Sequence, residues 1–315
     1  NFLKTILQLY NIINALLKLF QEVVVMKTIK VGLLGLGNVG TGTYKTLEMN
    51  RKHIESNTGL SIEIAKILVN DINKKRDILV SPDQITQNID DIILDPSIDI
   101  VVELIGGIEP ASSYMLKALE NKKHVVTANK AAVAANFDDL MDAAKKNQGM
   151  FRYEASVGGG IPIINALNTA LLANEFEEIL GIVNGTTNYI LTQMTEYGLD
   201  YADVLKVSQE KGFAEPDPTA DVEGIDVANK LSILISLVFG IRVPIEDIPT
   251  EGITNISKED IRLADQFGYK IKLLATAKKV GNQLEAHVQP AFVPKDHPIA
   301  SVSNEFNAIF VTGNA

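Results

Sequence analysis

The stretch VGLLGLGNVG, residues 31–40, sets the fold that we predict for this chain. Its first half has the apolar character of a buried strand, and its second half places Gly35, Gly37 and Gly40 in the spacing G-x-G-x-x-G. In that pattern the first glycine permits a tight turn, the second lets the backbone approach a pyrophosphate, and the third lets a helix pack closely on the strand. The N-terminus of this helix would face the phosphates. Because a plain glycine turn can have the same letters, the motif depends on the elements around it.

The segments around this loop alternate between short β-branched runs and longer runs with helical spacing. This alternation predicts an α/β fold, a Rossmann-type doubly wound parallel sheet covered by helices. Strands are predicted at 27–37, 60–69, 97–106 and 123–130, and helices at 41–54, 111–123 and 135–147.

The character of the chain changes near residue 150, where we place a domain boundary. A glycine cluster, SVGGGIP at 156–162, precedes a helix, a strand at 177–185 and further helices through 240. Strand-like runs at 269–280 and 284–293 then predict a mixed or antiparallel sheet. We therefore predict a dinucleotide-binding domain over 26–150 and a second, α+β domain over 151–315.

The composition excludes several classes of protein. The 315 residues are 46% hydrophobic and 22% charged, which is typical of a soluble globular protein long enough for two domains. A net charge of −10 argues against a nucleic-acid or anionic membrane surface. The chain has no cysteine, so it cannot use a thiol nucleophile or thiolate metal ligands. No two histidines have the helical spacing of a zinc site; they are His53, His124, His287 and His297.

The first 25 residues are apolar, but polar residues interrupt them too often for a membrane span of about 20 apolar residues. They also lack the small-residue cleavage site of a signal peptide. Met26 stands directly before the first predicted strand. We interpret residues 1–25 as an upstream extension of the reading frame, with an amphipathic partner helix as the alternative.

The end of the second predicted strand gives conflicting indications about the cofactor. Asp71 is placed to accept hydrogen bonds from an adenosine ribose, which favours NAD. The basic run Lys74, Lys75 and Arg76 favours the 2′-phosphate of NADP, although it could also be a solvated surface. We keep both cofactors open and favour NADP.

The stretch KGFAEPDPTADVEGIDVANK, residues 211–230, places a lysine at the start of an apolar run. Asp226 and Lys230 are four residues apart, hence on one face of a helix that we expect to begin near Asp221. Burial disfavours a charged lysine and a nearby carboxylate favours it, a balance that suits a group exchanging a proton with a substrate. The alternative is a lysine that extends to solvent from a core helix.

Taken with the glycine loop, this stretch resembles homoserine dehydrogenases, which interconvert L-aspartate 4-semialdehyde and L-homoserine. The resemblance runs from Met26 to Ala315 and also includes TANKAAVA at 127–134, YEASVGGGIPII at 153–164 and GIVNGTTNYIL at 181–191. It implies hydride transfer with NAD(P)(H) and an α+β substrate and dimerisation domain over 151–315. It also implies a homodimer or homotetramer and a cytoplasmic enzyme of threonine and methionine biosynthesis. Family members normally continue beyond the point that matches residue 315, so we expect the chain to be cut short.

The resemblance also assigns roles to individual residues. Lys230 would be the proton donor, Asp226 a substrate-binding partner and Lys130 a group close to both substrate and cofactor. The other substrate contacts would be Glu215, Gly212, Asp221 and Thr186. The cofactor contacts besides Gly35, Gly37, Gly40 and Lys130 would be Asn38, Val39, Ile105 and Thr127. A monovalent cation such as sodium would be bound, mostly through backbone oxygens, by Glu154, Val157, Gly159 and Ile161.

Three features have alternative readings from the residues alone. The glycine cluster could be a hinge between domains, and Lys130 could be a surface lysine after a strand. The NGTTNY turn at 184–189 predicts a helix capped by Thr186 or Thr187. At the level of function, the alternatives are another amino-acid or hydroxy-acid dehydrogenase, or a dinucleotide-binding protein without catalysis.

Overall fold

The computed structural model describes residues 26–212 and 214–314. Those up to Ile100 form one compact unit, and those from Val101 form a second. The predicted extension over residues 1–25 lies outside the described residues. The predicted domain boundary near residue 150 stays a prediction.

The first unit contains the glycine loop between a strand and a helix. Its strands β1 and β2 pair in parallel, with Val31 opposite Ile64. At Gly32 an added Cβ would lie 2.3 Å from Ile92, so only glycine lets the neighbouring helix pack this close. The elements are β1 (Lys27–Leu34), α1 (Asn38–Met49), α2 (Arg51–Thr58), β2 (Leu60–Leu68), β3 (Ile85–Thr86) and α3 (Asp90–Ile93).

The helix predicted at 41–54 is two helices. The chain leaves helical geometry at Asn50, whose side chain donates to the Thr46 carbonyl. An asparagine side chain that satisfies the backbone in this way competes with the helical ladder. The second helix ends at Gly59, which has a φ of 69° and the left-handed geometry common at helix ends.

The strands after Asp99 alternate with helices, but the strand predicted at 123–130 ends at Thr127. Lys130 instead begins a helix that was not predicted, because the side chain of Asn129 caps it. These elements are β4 (Ile100–Glu103), α4 (Ala111–Glu120), β5 (His124–Thr127), α5 (Lys130–Ala135), α6 (Phe137–Lys146) and β6 (Phe151–Arg152). The short strands β3 and β6 were not expected from the sequence, because two-residue strands carry too little pattern to be recognised.

The first sheet has the order β3-β2-β1-β4-β5-β6. Its strands pair in parallel, as at Val125 and Phe151. This order is that of a doubly wound dinucleotide-binding sheet, so the predicted fold class is confirmed.

The second sheet is antiparallel and lies wholly in the second unit. Its order is β10-β7-β8-β9, and β8 and β9 form a long hairpin around Gly281. The prediction of an antiparallel sheet after residue 150 is therefore confirmed. The strands are β7 (Phe176–Ile182), β8 (Tyr269–Val280), β9 (Gln283–Pro294) and β10 (Ala308–Gly313).

Three of the described helices after residue 160 pack against this sheet: α8 (Gly185–Tyr197), α11 (Ile225–Phe239) and α12 (Lys258–Gln266). The other α-helices of this segment are α7 (Ile163–Asn165), α9 (Tyr201–Glu210) and α10 (Thr219–Val222). Helix α11 is largely buried, in keeping with its apolar sequence. None of the helices among the described residues combines the length and apolarity needed to cross a bilayer.

The helix expected to begin near Asp221 is also divided in two. Gly224, with a φ of 81°, separates α10 from α11. A Cβ there would lie 3.0 Å from a methyl of Thr250 and 3.2 Å from one of Val288. The turn therefore needs glycine for its conformation and for the close approach of these side chains.

Candidate active site

The acid and lysine cluster forms at the first turn of α11. Asp226 is 3% exposed, and Lys230 follows it one turn later on the same face. The Lys230 Nζ lies 2.7 Å from Oδ2 of Asp226 and 2.6 Å from the carbonyl oxygen of Val183, just beyond the end of β7. The Lys230 side chain is 14% exposed, so its ammonium is mostly withdrawn from water.

A second lysine reaches the same carboxylate. Lys130 opens α5, and its Nζ lies 2.5 Å from Oδ1 of Asp226. A positive charge in the first turn of a helix is disfavoured by the helix dipole, and the ion pair with Asp226 offsets this unfavourable interaction. The side chain of Lys130 is 43% exposed, three times the value for Lys230. Asp226 therefore faces one lysine on each oxygen, and the lysines differ in their access to water.

Asn184 completes the cluster, and the sequence did not reveal it. Its Nδ2 donates to Oδ2 of Asp226 and to Oδ1 of Asp221, both at 2.8 Å. Its Oδ1 accepts from the backbone N–H of Thr187 and thereby caps α8. The prediction that Thr186 or Thr187 is the cap is wrong, because the residue before the helix supplies the acceptor. Asparagine directly before a glycine and a helical run was the available signal.

The surroundings of Asp226 keep it ionised. Burial acts to raise the pKa of this carboxyl, but Lys230, Lys130 and the hydrogen bond from Asn184 outweigh it and hold the pKa below its usual value. A buried carboxylate with this many donors is stable as an anion. The cluster is thus a fixed negative charge between two ammonium groups.

The geometry leaves donor capacity on Lys230. An ammonium has three N–H groups, and those of Lys230 face two acceptors, Val183 and Asp226. One N–H remains for an oxygen of a bound molecule. Such a site can give a proton to, or take one from, an oxygen that gains or loses negative charge.

The predicted substrate contacts lie along the chain segments that lead into this cluster. Asp221 is joined to it through Asn184. Thr186 lies in the first turn of α8. Gly212, with a φ of 76°, and Glu215 are exposed, and the side chain of Gln209 donates to the Glu215 carbonyl. Lys130 and Lys230 form their ion pairs with Asp226 and not with the carboxylate of Glu215.

The glycine loop of the first unit has the geometry of an anion site. Gly35 has a φ of 97°, and a Cβ on Gly40 would lie 2.3 Å from the Gly35 carbonyl oxygen. Gly37 has no atom within 4 Å of an added Cβ, so its backbone is open to a ligand. It caps α1 without a side-chain hydrogen bond, and Asn38 and Val39 are exposed in the first turn. The uncapped N–H groups of such a helix are suited to bind a phosphate.

A cavity of about 400 Å³ adjoins this loop. Its other lining groups are mostly basic: Lys45, Lys74, Lys75 and Arg76. The carboxylate of Asp71 accepts from the backbone N–H of Asn73, within its own turn. Arg76 donates to the backbone carbonyl of Asp71, so the basic run and the acid belong to one folded turn.

Two further cofactor candidates lie at strand ends in the second unit. Ile105 follows β4, and Thr127 ends β5. Both form hydrogen bonds to the buried carboxylate of Glu103, Ile105 through its N–H and Thr127 through its hydroxyl. Thr127 is buried, and the hydroxyl proton it gives to Glu103 is its only one.

The candidate cation ligands lie on one glycine-rich turn. Gly158 and Gly159 both have a positive φ, which folds the backbone between Val157 and Ile161. Both carboxylate oxygens of Glu154 accept hydrogen bonds from backbone N–H groups at the start of α7. Among the described residues, no group of three or more His, Asp or Glu side chains could hold a metal. Ligands at this turn would therefore be mainly carbonyl oxygens.

Comparison with known families matches almost the whole described chain. Residues 35–154 match the family described as homoserine dehydrogenase, NAD binding domain, and residues 162–315 match the homoserine dehydrogenase family. Among curated relatives, homoserine dehydrogenase of Bacillus subtilis is 44% identical over 290 residues, and that of Synechocystis is 46% identical over 291. These alignments cover 92% and 91% of this chain and 67% of each relative, so the chain spans about two thirds of their length.

Solved structures agree with these matches. A homoserine dehydrogenase from Thiobacillus denitrificans superposes with a TM-score of 0.87 at 46% identity, over 92% of this chain and 67% of that one. A putative homoserine dehydrogenase from Archaeoglobus fulgidus superposes with a TM-score of 0.81 at 32% identity. That alignment covers 91% of this chain and 90% of the archaeal chain.

Proposed function

This chain belongs to the homoserine dehydrogenase family, and we propose that it interconverts L-homoserine and L-aspartate 4-semialdehyde with a nicotinamide dinucleotide. The observation that carries the proposal is the buried carboxylate of Asp226 held between Lys130 and Lys230. A surface ion pair of this spacing would indicate little. Burying a carboxylate together with two lysines is unfavourable because the charges lose hydration, so its presence here supports a functional role.

Lys230 is the proton donor in the direction of aldehyde reduction. A reduced nicotinamide, when bound, would supply the hydride that the aldehyde carbon receives. Lys230 gives a proton to the oxygen of that carbon, which becomes the hydroxyl of homoserine. Asp226 holds the ammonium in place on one side and Val183 on the other, so its remaining N–H can be directed at the substrate. In oxidation, Lys230 takes the proton back.

Lys130 contributes positive charge rather than a proton. Its more exposed ammonium shares Asp226, and a second cation near the reacting oxygen stabilises the negative charge that develops there. We propose that Asp226 and Asp221, fixed by the Asn184 amide, orient the substrate with Thr186 and Gly212. Glu215 would bind the substrate amino group.

The first unit is suited to hold the adenosine end of the cofactor. The uncapped start of α1, the exposed backbone at Gly37 and the basic cavity wall fit a pyrophosphate and a further phosphate. Because Lys45, Lys74 and Lys75 line the cavity beside the loop and Asp71 does not, NADP is the preferred cofactor. Ile105, Thr127 and Lys130 remain the predicted contacts of the nicotinamide.

The glycine-rich turn would hold a monovalent cation such as sodium. Carbonyl oxygens of Val157, Gly159 and Ile161 with the carboxylate of Glu154 form an all-oxygen donor set, which suits a hard cation. Its role would be to stiffen the turn. From the family resemblance we further propose a cytoplasmic enzyme that is a homodimer or homotetramer. Sedimentation of the purified protein would test the oligomeric state.

The substitution Lys230→Met tests the function. We expect kcat for homoserine oxidation to fall by roughly 10²- to 10⁴-fold, because general acid and base catalysis is lost. The dissociation constant of NADP, measured by fluorescence titration, should stay nearly unchanged. The matched control is Lys206→Met, at an exposed lysine of α9. A Lys230→Met enzyme that keeps its kcat would refute the assignment.

A further inference from the structure

Glu103 is a fully buried carboxylate that the proposed mechanism does not use. It ends β4 with no exposed surface, and none of the ion pairs among the described residues involves it. Its Oε1 accepts from the N–H of Ile105 at 2.7 Å and from that of Gly106 at 3.4 Å. Its Oε2 accepts from the Thr127 hydroxyl at 2.6 Å. Both oxygens therefore act as hydrogen-bond acceptors.

Placing a carboxylate in this position is costly. Burying a carboxyl group without an opposite charge nearby is unfavourable unless hydrogen bonds replace its hydration. A glutamine or an apolar residue would fill the end of a strand at lower cost. The network that this carboxylate organises is therefore the feature that needs an explanation.

The network leads directly to Lys130. The Thr127 hydroxyl has one proton, which it gives to Glu103, and its oxygen accepts from the N–H of Asn129 at 2.9 Å. Asn129 in turn donates from Nδ2 to the Gly107 carbonyl at 2.7 Å. Its Oδ1 accepts from the third residue of α5 at 3.1 Å and so caps that helix. Hydrogen bonds thus hold both Thr127 and Asn129, which lie immediately before Lys130.

We propose that Glu103 is a positioning residue that sets the place of Lys130 beside Asp226, acting through Thr127 and Asn129. The inference rests on the proposed function, because it concerns a lysine of that site. A half-exposed lysine has many accessible rotamers, so the position of its backbone decides how much of the time its ammonium meets the carboxylate. Glu103 fixes that backbone position through hydrogen bonds that are buried from solvent.

A double-mutant cycle tests the coupling. We expect Glu103→Gln to lower kcat/KM for homoserine by about tenfold in the natural chain, as displacement of a catalytic group does. In a Lys130→Met background the same change should cost less than roughly twofold, because the residue through which it acts is gone. The matched control is Glu109→Gln, at an exposed glutamate of the following loop. An equal loss in both backgrounds, or no loss in either, overturns the proposal.

A second measurement does not depend on activity. Pulse acetylation of the folded protein, read by peptide mass spectrometry, reports how well Asp226 protects the amine of Lys130. We expect acetylation of Lys130 to be several-fold faster in Glu103→Gln and unchanged in Glu109→Gln. An unchanged rate in Glu103→Gln overturns the proposal. If the natural chain does not oxidise homoserine, the proposed function fails, yet this rate still decides the role of Glu103.

Thr127 provides a test if Glu103→Gln does not fold. Thr127→Val removes the hydroxyl and keeps the shape, whereas Thr127→Ser keeps the hydroxyl. We expect faster acetylation of Lys130 in the valine variant and a rate close to that of the natural chain in the serine variant. Equal rates in the two variants contradict a relay through this hydroxyl.

Discussion

The substitution Asp226→Asn removes the charge of the buried carboxylate and keeps its shape. The carboxylate forms an ion pair with Lys130 at Oδ1 and accepts hydrogen bonds from Lys230 and Asn184 at Oδ2. An asparagine offers one acceptor oxygen, and its amide N–H groups must face a donor on the other side. The variant therefore loses the charge and places donor against donor.

The expected loss of stability follows from the burial of each partner. Removing one member of a buried ion pair costs roughly 3–5 kcal/mol, because an unpaired charge remains. Lys130 is 43% exposed and can turn to water, so its part is small. Lys230 is 14% exposed and loses its charged partner, so its ammonium would face only neutral acceptors such as the Val183 carbonyl. We expect Asp226→Asn to lower the free energy of unfolding by about 3 kcal/mol at pH 7.

The loss should depend on pH in a defined direction. The pKa of Asp226 is lower in the folded protein than its usual value, so its stabilisation is present above the unfolded pKa of about 4. It is lost as pH falls through the folded pKa. The difference between the natural chain and the variant should therefore shrink as pH is lowered from 7 to 3.

Urea unfolding at several pH values measures both quantities. Circular dichroism and tyrosine fluorescence give the transition, and Asp142→Asn, at an exposed aspartate of α6, is the matched control. A loss below about 1 kcal/mol at pH 7 would mean that Asp226 is not a buried ion-pair partner. A loss that does not change between pH 7 and pH 3 would mean that its charge is not the cause.

Three further substitutions have specific expected outcomes. Burial and a neighbouring lysine lower the pKa of Lys272 to about 8, so between pH 8 and 10 the unfolded chain binds more protons and stability rises with pH, by up to about 3 kcal/mol. Lys272→Met should remove this rise in urea unfolding, and a slope that persists would contradict the cause. Asn184→Asp places another carboxylate against Asp226, so we expect the free energy of unfolding to fall by about 2 kcal/mol at pH 7, and by less toward pH 4. A decrease that does not change with pH would indicate an effect of shape instead of charge. Gly40→Ala puts a Cβ 2.3 Å from a backbone oxygen of the glycine loop and should weaken NADP binding at least about tenfold by fluorescence titration, whereas Gly42→Ala, with open space at its Cβ, should bind normally; equal affinities would contradict the predicted loop geometry.

Much of the fold could be predicted because its signals are local. The glycine spacing at 35–40, the β-branched strands and the apolar run of α11 each carry their pattern within a few residues. The errors fell where a single residue interrupts a pattern, as at Asn50 and Gly224, which each divide a predicted helix. Whether a side chain hydrogen-bonds to the backbone, or a close contact requires glycine, depends on neighbouring residues that a periodic pattern does not include.

The sequence by itself determined that this chain has a glycine loop on a parallel sheet and that Asp226 and Lys230 share a helix face, since both follow from local spacing. Only the tertiary structure decided that Asn184 reaches Asp226 across 42 residues of sequence, and that Glu103 meets Thr127 across 24. The same packing brings Lys130, at the start of a different helix, to the second oxygen of Asp226. The reason is that a side-chain hydrogen bond requires atoms within about 3 Å, and contacts between distant parts of the chain are set by how whole elements pack.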